Sequence, residues 1–155
     1  TVPPETFTAA LLHDVGKLVL GRFLDEDIQA FLRRARIEGG RSEADAENEV
    51  LSVNHAELGG LIAAHWKLPR SICVGIQYHH EREECGDEEG LGHVPWVVSL
   101  ANQVAEKLGR GSDDVVPEDS DLEPALEALG MDDAKLDKLL ERTERRLEEV
   151  GQRFN

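Results

Sequence analysis

Apolar residues along this chain recur at steps of three, four and seven nearly everywhere, and no stretch sustains the period-two alternation of a half-buried strand. The pattern predicts an all-α fold. A first helix runs from about Glu5 to Val15, after Pro3 and Pro4, and Gly16 marks its end or a bend before Leu18, Val19 and Leu20. A second spans Asp25 to about Ile37 and closes on Gly39 and Gly40, which suit a left-handed terminus. Ser42 followed by Asp45 has the spacing of a cap and opens a helix carrying Val50, Leu51 and Val53.

The next helix holds His55, Leu58, Gly59, Ile62 and His65, with Asn54 and Glu57 marking its start, and it stops before Pro69. Pro69 fits the first turn of another, whose apolar face is Ile72, Cys73 and Ile76. Glu81 to Gly92 is charged and glycine-rich and reads as a loop, after which Trp96 to Leu108 resumes the helical pattern. These elements make one unit over residues 1–109, followed by a polar connector at 110–121. Residues 122–155 form a helical extension expected to pack on the same domain, with a stripe of Leu136, Leu139, Leu140, Leu147 and Val150. Two heptads are too few for a coiled-coil seam, so the stripe is read as core, although it would also serve a homodimer.

Composition narrows the class. With 155 residues, 40% of them apolar, the chain can build one core, and no apolar run approaches the ~20 residues a bilayer requires. The amino end sets charged residues inside its apolar stretch, unlike a secretory leader, so the expected location is the cytoplasm. A formal charge of -15 repels nucleic acid and anionic membranes, so neither is expected as a partner. Cys73 and Cys85 have neither CxxC spacing nor companion thiols and are expected to be unbridged.

Four features can carry chemistry: His13 with Asp14, followed by Lys17; His55; the doublet His79 and His80; and Asn102. Imidazole nitrogen with carboxylate oxygen suits iron, manganese or zinc. Adjacent His and Asp on a helix point about 100° apart, close enough to grip one metal site together. Spacing alone leaves open whether the histidines of separate helices converge, and whether Lys17 offsets an anionic ligand or lies on the surface. His65 and His93 read as ordinary hydrogen-bonding histidines.

The runs ALLHDVGKLVL, VNHAELGGLIAAHWKLPRSICVGIQYHHE and VVSLANQVAEKLG together resemble the HD phosphohydrolase superfamily, and within it the HDOD class of bacterial signalling output domains. The ordered string HDxGK, HxxxG, WxLP and HH carries the likeness. It implies an HD-domain-like multi-helix bundle around a metal-centred cavity. It also implies that this chain is the C-terminal part of a larger HDOD domain, whose first helices lie ahead of the HDxGK run.

Carried over by position, the resemblance makes His13, Asp14, His55, His79 and His80 metal ligands, with Lys17 where the family contacts phosphate and Lys17 and Asp14 as catalytic residues. One or two divalent ions (iron, manganese or zinc), or none, would be held. Two departures matter. Asn102 stands where active relatives close the site with aspartate, and nothing upstream of His13 supplies their first histidine. The segment after the doublet also lacks the element associated with cyclic dinucleotide hydrolysis. The expectation is a regulatory or scaffolding output domain with a degenerate metal site, partnered by other signalling proteins or domains. The competing expectation is an active metal-dependent phosphohydrolase acting on a nucleotide or a phosphodiester, and a phosphate-containing small molecule counts among the expected partners.

Overall fold

The structure, a computed structural model, describes residues 2–86, 88–109 and 122–153. Those residues form helices joined by short turns, with no strand among them. The connector predicted over 110–121 lies outside the described residues.

The chain opens with α1 (Thr6–Leu12) and α2 (Val15–Phe23), so the single helix expected over Glu5 to Val15 is broken at His13 and Asp14, ahead of Gly16. Gly16 sits in the first turn of α2 for a different reason: a Cβ there would lie 2.0 Å from the backbone oxygen of His55. Its missing side chain lets α2 pack directly on the start of α5 (His55–His65).

Between them come α3 (Glu26–Gly39) and α4 (Glu43–Leu51). The side chains of Asp25 and Ser42 accept hydrogen bonds from the backbone N–H groups of Ile28 and Asp45, satisfying donors that a helix start leaves orphaned. Gly40 closes α3 in the left-handed conformation, as its sequence position suggested. Asn54 and Glu57 form a reciprocal capping box on α5.

Helix α5 is apolar on nearly every side; it buries His55, Ala56, Gly59, Gly60 and Ala63 and leaves Leu61 exposed, packing most extensively on α6 (Arg70–Gln77) and α2. Pro69 caps α6 in extended conformation, one position earlier than expected. From Ser71 to Ile76 every residue of α6 is buried. Ile72, Cys73 and Ile76 join Ala9, Ala63, Val94 and Val98 in the main core. The predicted loop after His80 holds two short 3-10 turns, Arg82–Cys85 and Glu88–Gly90.

Helix α7 (His93–Lys107) starts three residues ahead of Trp96, because Pro95 in its first turn gives up an N–H that has no intrahelical partner anyway. Its second half builds a separate core with α8 (Glu123–Leu129) and the start of α9 (Asp133–Arg153). Leu136, Leu139 and Leu140 belong to that core, whereas Val150 at the far end of the stripe is half exposed. Among the described residues, no helix is long and apolar enough to cross a membrane.

Candidate metal centre

The α1–α2 elbow, the start of α5 and the end of α6 meet at one end of the main core, and each brings ionisable side chains. The break after α1 turns His13 and Asp14 inward together. The Nδ1–H of His13 donates to the carbonyl of Ala10 (2.8 Å), which assigns the proton to Nδ1 and leaves the Nε2 lone pair free. His79 does the same at the end of α6, its Nδ1 lying 2.7 Å from the carbonyl of Ile76. On α5, the Nδ1 of His55 lies 2.6 Å from Oε2 of Glu47, an oxygen that also accepts from the His55 backbone N–H at 2.7 Å. Three imidazoles are thus pinned by their Nδ1 atoms, and all three direct Nε2 toward Asp14.

Asp14 lies among those nitrogens. Its Oδ1 is 3.4 Å from Nε2 of His55 and 3.9 Å from that of His79, while Oδ2 is 3.4 Å from Nε2 of His13 and 3.1 Å from Nζ of Lys17. The Nε2 of His80 lies 3.0 Å from that of His55. Two overlapping sets of potential ligands result: His55, His79 and His80, and His13, Asp14 and His79. In each set the ligand atoms lie within 4.8 Å of one another, a spread that suits a cation, since ligands about 2.1 Å from a tetrahedral ion are separated by roughly 3.4 Å. The fit has a further mark. The Nε2 atoms of His13 and His79 are buried and lack hydrogen-bond partners, an arrangement that costs free energy unless something accepts their lone pairs.

Electrostatics favour the ligand forms. Burial, reinforced by the neighbouring imidazoles, pushes His79 down to about 3 and His80 further still, so both rings are neutral at physiological pH. Burial alone would raise the Asp14 carboxyl, but Lys17, followed by His13 and His55, outweighs it and holds the group below its ordinary value. Burial would likewise lower Lys17, yet Asp14 and Glu43 raise it, with Nζ 2.9 Å from Oε2 of Glu43.

All six residues singled out by position therefore lie together: His13, Asp14, Lys17, His55, His79 and His80. Asn102 on α7 turns its amide to Oε1 of Glu106 (3.0 Å), one turn along the same helix. His65 and His93 are exposed and join neither ligand set. Glu43 and Glu47 were missed by sequence reasoning. A signal existed: Ala44, Glu47 and Leu51 share the inward face of α4, and a carboxylate in an apolar row marks a buried partner.

A helical bundle that gathers histidines and one aspartate from an HDxGK elbow, a following helix and a histidine doublet is a domain of the HD phosphohydrolase superfamily. The model of the HDOD domain family matches residues 1–82, more than half of the chain's 155, and the chain belongs to that family. The matched stretch includes His13, Asp14, Lys17, His55, His79 and His80 but ends before Asn102.

Among solved structures, the chain is similar to a "Putative phosphohydrolase" from Shewanella amazonensis SB2B, at 26% identity and a TM-score of 0.65. The likeness covers 89% of this chain and 49% of that one, so the chain spans about half the length of that solved protein. No curated protein matches it.

Proposed function

We propose that this chain is a regulatory HDOD output domain that holds a divalent cation (iron, manganese or zinc) and does not turn over a phosphoester. The observation that carries the metal-holding part is the shared pinning of His13, His55 and His79 by Nδ1, which leaves three Nε2 lone pairs aimed at the Asp14 carboxylate. His80, beside both His55 and His79, adds a fourth imidazole. A bound cation would supply Lewis acidity toward water and phosphoryl oxygen.

The regulatory part is supported by the charges this chain sets around the cage. Lys17 is committed to both Asp14 and Glu43, so its ammonium is already neutralised rather than open to an incoming phosphate. By its position in the motif resemblance, Asn102, a neutral amide, falls where active relatives carry a carboxylate, so a second cation would lose a charged ligand. In this reading Asp14 and the histidines orient and hold one ion, Glu47 fixes His55, and the domain acts through another signalling protein or domain.

The competing reading, an active phosphohydrolase, draws on the two overlapping ligand sets, which would accommodate two ions. Metal analysis of protein purified without chelator separates the two, together with a panel of nucleotide and phosphodiester substrates in manganese. About one equivalent and no turnover are expected, and protein that takes up no metal would overturn the metal-holding part. Two equivalents with turnover that Asp14→Ala abolishes would establish the enzyme instead.

A further inference from the structure

Beside Lys17, residues of α2, α3 and α4 line a cleft of about 170 Å³. Its existence follows from how α3 is attached. None of the fourteen residues of α3 is fully buried, and Phe31 and Ile37 are largely exposed. Gln29 ties the helix down by donating to the carbonyls of Leu24 and Gly21. The helix thus stands off the bundle, with its inner face incompletely packed.

The cleft walls are of two kinds. Leu20 and Leu24 of α2 face Leu32 of α3 and give it an apolar body. The cations and anions at its rim are unequal in what they already bond. Lys17 and Glu43 pair with each other, and Glu47 holds His55. Arg33 and Arg36 also line the cleft, one turn apart on the same face of α3, and neither guanidinium has a hydrogen-bond or ion-pair partner among the described residues. What the cleft lacks is therefore an apolar group with a negative charge beside it.

We propose that this cleft is a binding site for a small amphipathic anion, with a single ring or short acyl chain between Leu20, Leu24 and Leu32 and a carboxylate or phosphate monoester on Arg33 and Arg36. The volume fits, since a cavity of about 150 Å³ accepts one benzene ring. Arginine suits the anion because its planar fork binds both acid types in bidentate fashion. Binding would complete the packing of α3 against the bundle, and it does not depend on the metal reading above.

The test uses the full chain treated with chelator, so that no anion reports on the histidine cage. Benzoate and phenyl phosphate, with benzyl alcohol as the uncharged control, are titrated while backbone amides are followed by ¹H–¹⁵N NMR. At least one anion should shift the amides around Leu20, Leu32 and Ala46 with a Kd of about 1 mM or tighter, a range typical of fragment-sized ligands. The preferred probe tells carboxylate from phosphate. Both Arg33→Ala/Arg36→Ala in combination and Leu32→Trp, which fills the cleft, should weaken binding at least tenfold. The proposal is overturned if neither anion shifts those amides, if benzyl alcohol binds as tightly as the anions, or if the arginine variant binds unchanged.

Discussion

Glu47 and His55, eight residues apart in sequence, are joined by two hydrogen bonds to one carboxylate oxygen, at 2.7 Å from the backbone nitrogen and 2.6 Å from ring Nδ1. Both residues are almost wholly buried. A carboxylate placed this way fixes the ring's tautomer and orientation for a metal. It also fastens the middle of α4 to the first residue of α5, so the same contact serves fold and site.

Glu47→Gln keeps one oxygen that can accept from both the backbone N–H and Nδ1–H of His55, but as a neutral amide it holds the ring less strongly than a carboxylate does. Metal affinity should fall roughly 10- to 100-fold, the usual effect of losing such a supporting group. Competition with a chromophoric chelator would measure it. An unchanged affinity in a folded variant would remove Glu47 from the site.

Gly16→Ala puts a methyl into the backbone of His55. Helices α2 and α5 would have to separate at the point where Asp14 and His55 meet. A destabilisation of about 3 kcal/mol is expected, at the upper end for overpacking. Urea denaturation would read it, and metal binding should weaken in the fraction that folds.

The neutral, buried histidines make the metal-free domain acid-sensitive. His79 titrates at about 3 in the folded chain against 6.5 in the unfolded one, and His80 is shifted the same way. Between those limits the unfolded chain binds protons that the folded chain refuses, so stability is complete above pH 6.5 and is lost as the pH falls. At pH 5 the loss should be roughly 4 kcal/mol for the pair, from about 1.4 kcal/mol per pH unit for each ring below its unfolded value. The lowered Asp14 carboxyl adds a contribution that is lost only at lower pH, below the ordinary carboxylate range. Urea midpoints at pH 7.5 and 5, taken with chelator present, would test this; equal midpoints would contradict the buried neutral state.

Much of this was legible before any coordinates. The capping residues Asp25, Ser42 and Asn54 and the closing Gly40 behave as local chemistry dictates, because each acts within one turn of its own helix. The motif string brought the six site residues to attention, although helical spacing could not show that three helices aim them at one place. Two matters were hidden because they depend on contacts distant in sequence. Gly16 reads as a helix breaker, yet it is required by the backbone of His55. Glu47 reads as one more acid on a charged helix, and only the fold reveals that it faces a ring rather than solvent.

The central claim is that His13, His55 and His79 carry their protons on Nδ1 and offer Nε2 to a shared cation. Long-range ¹H–¹⁵N NMR of the imidazoles, recorded before and after one equivalent of zinc, measures this directly. The account requires all three rings to be Nδ1–H tautomers whose Nε2 resonances move together on zinc addition, and Asp14→Ala should blunt the response. Rings protonated on Nε2, or Nε2 signals indifferent to zinc, would contradict it.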